Sequence, residues 1–217
     1  MYKRQSLLLI AQPDIGQTLL VIFCWAVLIF TSGINIYILL AIFIAGASLL
    51  TYLIIYVPRF DYIQGRIFSF FNRETGTHNF QSDKAIESIT SGGFFGKGIG
   101  EGVLKNRVPE AHTDYIISVI SEEFGVVAIM LILLLFLILI YMVFKKISFE
   151  TNDKAKLILI GSISLILMQA TIHIGVNIRL FPTTGMTLPF LSYGGSSIIS
   201  TSILAGIILN LTKRKIT

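Results

Sequence analysis

Phe124 to Phe144 reads FGVVAIMLILLLFLILIYMVF and contains no charged residue. A hydrocarbon core about 30 Å thick takes roughly 20 helical residues to cross, and this stretch is that long. Its apolar side chains run on continuously, whereas the lipid-facing strands of a barrel alternate apolar and polar. In lipid every backbone N–H and C=O must be satisfied within the segment, so the stretch is read as a transmembrane helix.

The whole chain fits that beginning. Of its 217 residues 54% are hydrophobic and 13% charged, and the mean hydropathy is +0.80. An ordinary soluble domain carries about 25% charged residues. Five apolar segments stand out, at roughly 15–30, 34–57, 124–144, 157–178 and 186–211. The first is the short one, starting at Asp14. The expected fold is all-α, a polytopic transmembrane bundle of about five spans, with residues 1–217 forming one membrane domain. The net charge of +5 does not suggest a nucleic-acid partner, because the basic residues form no aromatic-interleaved face. The single cysteine, Cys24, lies in an apolar run, so no disulfide within the chain is available, and there is no metal-ligand cluster.

Basic residues set the orientation. Lys145, Lys146, Lys154 and Lys156 crowd the short loop after the third span, and Lys213, Arg214 and Lys215 end the chain. Two spans separate these clusters, so both are assigned to the cytoplasmic side. The loop 58–123 is then extracytoplasmic, as is the short turn around Arg179 to Gly185. That loop holds nine of the twelve acids and seven of the seventeen basic residues, a net −2 in a chain of net +5. Lys3 and Arg4 break the pattern, because with Asp14 outside they too would lie outside. Ser6 to Ala11 is only about 9 Å long as a helix, too short to cross. The chain is therefore expected to begin within a longer span and to be the C-terminal part of a larger protein.

A connection as long as 58–123 is expected to carry structure of its own. Asp61 to Phe71 (DYIQGRIFSFF) is short, aromatic and basic, which suits a helix lying at the interface. Gln81 to Ser91 reads as a second amphipathic helix, ending at Gly92-Gly93. GGFFGKGIGEG follows, from Gly92 to Gly102. It lacks both the GK[ST] and the preceding strand of a phosphate loop. Its glycines let backbone pass close to a lipid-linked substrate or to another helix. Lys97, Lys105 and Arg107 stand nearby as candidates to face a pyrophosphate.

In VPEAHTDYIISVISEEFG, Val108 to Gly125, Pro109 is placed to open a helix. Glu110, Asp114, Ser118 and Glu122 would then share one polar stripe. Alternatively, Thr113 or Asp114 caps a helix that begins at Tyr115. Either way Asp114 lies near the outer membrane edge beside His112, where a partly desolvated carboxylate can serve as a general base. Charge pattern alone favours a solvated loop edge or a cap for it.

Elsewhere, Asp14 with Gln17 fits a capping box. Arg179 at the outer end of the fourth span is read as snorkelling or binding a lipid phosphate, and His173 as a hydrogen-bonded interior residue. Pro189, Gly194 and Gly195 interrupt the last span at membrane depth, where a break is tolerated only against protein or a cavity.

Four of these stretches together carry a resemblance. They are QPDIGQTLL (Gln12–Leu20), SGGFFGKGIGEG (Ser91–Gly102), PEAHTDY with EEFG (Pro109–Gly125) and GMTLPFLSYGGSS (Gly185–Ser197). In order and spacing they resemble the SEDS family (shape, elongation, division and sporulation) of bacterial cell-wall polymerases. Pro109 to His112, Gly98 to Gly102 and Thr187 before Leu188-Pro189 are more similar to the cell-division (FtsW-type) branch than to the elongation (RodA-type) branch. The resemblance implies the C-terminal half of a ten-helix fold. The N-terminal spans absent here contribute basic residues to the family's central cavity, so activity is expected of the longer protein and is not assigned to this chain alone.

The activity implied is that of a peptidoglycan glycosyltransferase, a hexosyltransferase that polymerises lipid II outside the bacterial cytoplasmic membrane during septal wall synthesis. Asp114 matches the family's essential aspartate, the general base, which reverses the reading from charge alone. Glu110 and His112 would shape its charge and position. Lys97, Lys105 and Arg107 would face the leaving undecaprenyl pyrophosphate, and Arg179, Ser196 and Ser197 are further substrate-binding candidates. A divalent cation, Mg²⁺ or Mn²⁺, is a candidate to share that task, although the sequence holds no closed ligand set. A class B penicillin-binding transpeptidase and other divisome proteins are the implied partners. Two other readings compete: a lipid II flippase or other transporter, and a non-catalytic divisome scaffold. A transporter would place its key ionisable groups near the bilayer midplane, whereas here the carboxylates lie in the outer loop.

Overall fold

A computed structural model of the chain describes residues 14–71, 77–103 and 108–213. Lys105, Arg107, Arg214 and Lys215 lie outside the described residues, as does the segment before Asp14 on which the expectation of a longer leading span rests.

The described residues form seven α-helices and no strand. These are α1 (Ile15–Thr31), α2 (Ile36–Tyr56), α3 (Asp61–Phe71), α4 (Thr77–Gly92), α5 (Ile116–Phe149), α6 (Asp153–Asn177) and α7 (Gly195–Thr212). Four of them, α2, α5, α6 and α7, are long and apolar enough to cross a membrane, while Gly16–Thr31 is apolar but shorter. The all-helical, multi-pass membrane fold is thus as expected.

Local chemistry starts several helices where the sequence placed them. Asp14 accepts the N–H of Gln17 at 3.0 Å and caps α1. Asn35 accepts from Tyr37 at 3.0 Å ahead of α2, and Asn152 from Lys154 at 3.0 Å ahead of α6. These side chains satisfy N–H groups that a helix start leaves without an internal acceptor. α3 and α4 occupy the two stretches expected to be helical within the outer loop.

Three expectations are corrected. First, α5 begins at Ile116 rather than near Phe124 and runs for 34 residues, about 50 Å at 1.5 Å per residue. Its first turns therefore project beyond a hydrocarbon core about 30 Å thick, and the helix breaks at Gly125 (φ 77°, ψ −175°). Secondly, Pro109 opens no helix. Glu110 takes φ 55°, and its carbonyl accepts the N–H groups of Thr113 (3.1 Å), Asp114 (3.0 Å) and Tyr115 (3.3 Å). This tight turn removes the polar stripe of Glu110, Asp114, Ser118 and Glu122. The alternative cap is also displaced, to Tyr115 ahead of Ile116. Thirdly, the last helix starts at Gly195, and residues 178–194 are non-helical. Hydropathy cannot detect this, because Met186, Leu188, Phe190 and Leu191 are as apolar as a span.

The break at Gly125 explains the glycine-rich stretch. Interrupting α5 frees backbone groups around the break, and residues 93–98 pair with them. Lys97 and Gly98 donate to the carbonyls of Glu122 (2.9 Å) and Glu123 (3.0 Å), while Val126 and Val127 donate to those of Gly93 (3.0 Å) and Phe94 (3.3 Å). A side chain at Gly96 would collide with the Glu123 carbonyl, and one at Gly125 with that of Phe94. Of the two roles considered for these glycines, close approach to another helix is the one observed.

The core sits where the loop 58–123 meets the bundle. Ala85 of α4, Val108, Ala111 and Tyr115 of the loop, Ile172 and Val176 of α6, and Met186 form one buried cluster. It ties the Asp114 turn to α6.

Candidate active site

Asp114 lies in the turn 109–115, one residue before the N-cap of α5. Three groups hold the backbone of this turn. Asn177 Nδ2 donates to the Asp114 carbonyl at 3.0 Å, Ser192 Oγ to the Thr113 carbonyl at 2.6 Å, and the Tyr193 N–H to the His112 carbonyl at 2.9 Å. The non-helical segment after α6 thus forms one wall of the site. Gly185 faces the carboxylate, since a Cβ there would lie 3.4 Å from Asp114 Oδ2.

The electrostatics suit a base. Burial pushes the Asp114 carboxyl above the usual carboxylate range, and the negative charge of Glu110 pushes it further. The Arg66 guanidinium and the Thr113 hydroxyl act in the opposite direction. Arg66 comes from α3 and donates from Nη1 to the Thr183 carbonyl at 2.7 Å. Thr113 Oγ1 also donates to Glu110 Oε2 at 3.0 Å, which fixes the second carboxylate over the turn. Three non-glycine residues with left-handed backbone, Glu110 (φ 55°), Arg179 (φ 60°) and Phe190 (φ 66°), lie in the two segments that make the site. Such conformations cost on the order of 1–3 kcal/mol each and cluster where function requires them.

Beside Arg66 opens a cavity of about 400 Å³. Its walls come from α1, α2, α3, α6 and residues 181–184, with Ile22, Phe43, Leu50 and Ile172 among them. The lining is almost wholly apolar, with Asp14 and Arg66 as its charged members.

The other expected site residues separate into those at the turn and those engaged elsewhere. Glu110 and His112 share the turn with Asp114, and both are exposed. Lys97 is held by Glu122, with Nζ 3.4 Å from Oε1, rather than facing the turn. Arg179 is ion-paired with Asp83 of α4. Ser197 accepts from Thr187 Oγ1 at 2.7 Å and from Gln169 Nε2 at 3.4 Å. These bonds join α7 to the non-helical segment before it. Ser196 is exposed on α7. His173 is interior, with Nδ1 2.7 Å from the Met186 carbonyl. Among the described residues no three His, Cys, Asp or Glu side chains converge as a metal cradle. The donors at Asp114, two carboxylates with the Arg66 guanidinium acting on Asp114, do not fit a closed Mg²⁺ or Mn²⁺ site.

Arg66, Asn177, Ser192 and Gly185 were not foreseen as site residues. Arg66 carried a signal, as the one cation within the aromatic helix Asp61–Phe71, but it read equally well as a membrane anchor.

Comparison with known proteins places this geometry. A chain in the solved structure described as "Structural coordination of polymerization and crosslinking by a peptidoglycan synthase complex" matches with TM-score 0.72 and 29% identity, over 94% of this chain and 56% of that one. "Probable peptidoglycan glycosyltransferase FtsW" of Caulobacter vibrioides is 36% identical over 96% of this chain and 52% of its own length. The protein of the same name from Francisella salina is 38% identical over 95% and 52%. The chain spans about half the length of the curated relatives it matches. A family model described as "Cell cycle protein", FTSW_RODA_SPOVE, matches residues 4–216. The resemblance carried by the four motifs is borne out, and the chain belongs to this FtsW, RodA and SpoVE cell cycle protein family.

Proposed function

We propose that this chain carries the acceptor-activating site of a peptidoglycan glycosyltransferase that polymerises lipid II during bacterial cell division. The observation that supports this most is Asp114 itself, a partly buried carboxylate whose proton affinity is raised by burial and by Glu110 and on which Arg66, a wall residue of the apolar cavity, acts. A general base works best when its pKa lies near the working pH. The names of the relatives agree with the reading.

In this chemistry the acceptor sugar's 4-hydroxyl attacks the anomeric carbon of the growing, lipid-linked strand. Asp114 takes the hydroxyl proton as the new C–O bond forms. The bond from the anomeric carbon to the pyrophosphate oxygen breaks, and undecaprenyl pyrophosphate leaves with the electron pair. Positive charge near the departing group favours its release. Arg66 is the described cation acting on Asp114 and takes this part here, in place of the engaged Lys97. The apolar cavity beside Arg66 suits the isoprenoid end of such a substrate.

The site lies on the outer face of the bacterial cytoplasmic membrane, with loop 58–123 outside and the C-terminus inside. A cross-linking transpeptidase is the partner, in line with the polymerisation and crosslinking named for the matching complex. The test is glycan-strand formation from lipid II by the purified full-length protein and its Asp114→Ala variant. The reading requires strands from the first and loss of them from the second. Normal strand formation by Asp114→Ala would refute it.

A further inference from the structure

Asn177 is a polar side chain that the proposed chemistry leaves unused. It is wholly buried on α6, a helix fit to cross a membrane. Burying a polar side chain is costly unless it is hydrogen-bonded. The Asn177 amide donates to two carbonyls, that of His173 on its own helix at 2.9 Å and that of Asp114 at 3.0 Å. Flipping the amide would set its oxygen against both carbonyl oxygens, so the network fixes its orientation.

Asn177 is the outermost rung of a ladder. Gln169, His173 and Asn177 stand at i, i+4 and i+8 on α6, hence on one face. Gln169 Nε2 donates to the Thr187 carbonyl at 3.0 Å, and His173 Nδ1 meets the Met186 carbonyl at 2.7 Å. Each rung thus holds a carbonyl of an irregular segment, which is how such backbone is accommodated beside membrane helices. Only the Asn177 rung reaches the turn that carries the carboxylate. Ser192 and Tyr193 grip the two preceding carbonyls, those of Thr113 and His112. Three successive peptide units are therefore anchored, and the last anchor comes from a rigid helix.

We propose that Asn177 is a positioning residue for glycosyl transfer, its side-chain amide fixing the Asp114 peptide so that the carboxylate is aimed at the acceptor hydroxyl. This rests on the reading of Asp114 as the base. Asn177 touches no substrate. Small errors in the placement of a reacting group cost rate rather than binding, and about 1 Å can cost on the order of 100-fold. The effect therefore falls on kcat and leaves KM for lipid II unchanged.

The experiment compares the full-length protein with its Asn177→Leu, Asn177→Gln, Ser192→Ala and Asp114→Ala variants, using purified lipid II. Leucine keeps the branched outline of asparagine, with bulkier methyl ends, and removes the donor, whereas glutamine keeps one on a longer side chain. The expected result for Asn177→Leu is a kcat lower by about tenfold or more, with KM within about twofold. Asn177→Gln should recover part of that loss, and Ser192→Ala should repeat the kcat-only pattern if Asn177→Leu fails to fold. The inference is overturned if Asp114→Ala is inactive while a folded Asn177→Leu, or Ser192→Ala where that variant does not fold, keeps kcat within about twofold of the parent. It is equally overturned if Asn177→Gln folds yet is as impaired as Asn177→Leu, since packing rather than donation would then matter. An active Asp114→Ala would instead refute the reading of the base itself.

Discussion

Lys97 and Glu122 meet twice: the Lys97 backbone N–H donates to the Glu122 carbonyl at 2.9 Å, and Lys97 Nζ lies 3.4 Å from Glu122 Oε1. The Glu122 side chain is fully buried, while that of Lys97 is 38% exposed. Ser88 Oγ adds a hydrogen bond at 3.0 Å to the other carboxylate oxygen. A lysine that the sequence offered as a pyrophosphate contact thus holds the glycine-rich segment to the broken helix. Lys97→Met should destabilise the protein by about 1–3 kcal/mol, because a buried carboxylate loses its cation. The double variant Lys97→Met with Glu122→Gln should recover much of that loss. Thermal unfolding in detergent reads both, and parental stability of Lys97→Met alone would contradict this role.

Gly96 tests the same junction from the backbone side. It has φ 78° and presses on the Glu123 carbonyl. Gly96→Ala should cost roughly 1–3 kcal/mol, from the left-handed backbone and the forced displacement together. Gly46, with open space around it in α2, is the control: Gly46→Ala should be neutral or slightly stabilising. Equal unfolding temperatures for the two variants would contradict the docking of the loop on α5.

The pH dependence of polymerisation has a worked sign. Asp114 acts as a base only when ionised, so the rate rises with pH as the group loses its proton, and burial and Glu110 set that rise above the usual carboxylate range. Glu110→Gln removes a charge that raises the pKa, so the acid limb of kcat should move to lower pH. Arg66→Gln removes a charge that lowers it, so the limb should move to higher pH. Profiles of kcat against pH for the three proteins check this, and shifts in the same direction would contradict the assignment.

Topology is tested by labelling. Ile99 is exposed in the loop 58–123 and Lys154 at the start of α6. In a full-length protein otherwise free of cysteine, Ile99→Cys should react with a membrane-impermeant maleimide added outside intact cells, and Lys154→Cys only after permeabilisation. The reverse pattern would invert the bundle.

The legible parts of this protein were those governed by local chemistry. The presence of α2, α5 and α6 as spans follows from their apolar segments, though α5 starts before its apolar run, and the start of α1 follows from the Asp14 and Gln17 pair. The late start of α7 was not legible, because Phe190 and Leu191 look like membrane helix until distant partners claim the segment. Ser192 bonds the Thr113 carbonyl 79 positions away, and Gln169 the Thr187 carbonyl 18 away. Asp114 was visible through the motifs around it and not through charge pattern. Arg66 could not be connected to it, because it acts on Asp114 from a separate helix and is held by the Thr183 carbonyl, 117 positions along the chain.

The most direct measurement of the central claim is lipid II polymerisation by the purified full-length protein carrying Asp114→Asn. This substitution keeps the size of the side chain and the backbone anchors of the turn while removing the base. The account predicts a kcat lower by about 100-fold or more, with KM for lipid II and the unfolding temperature close to those of the parent. Polymerisation by Asp114→Asn at the parental rate would contradict it.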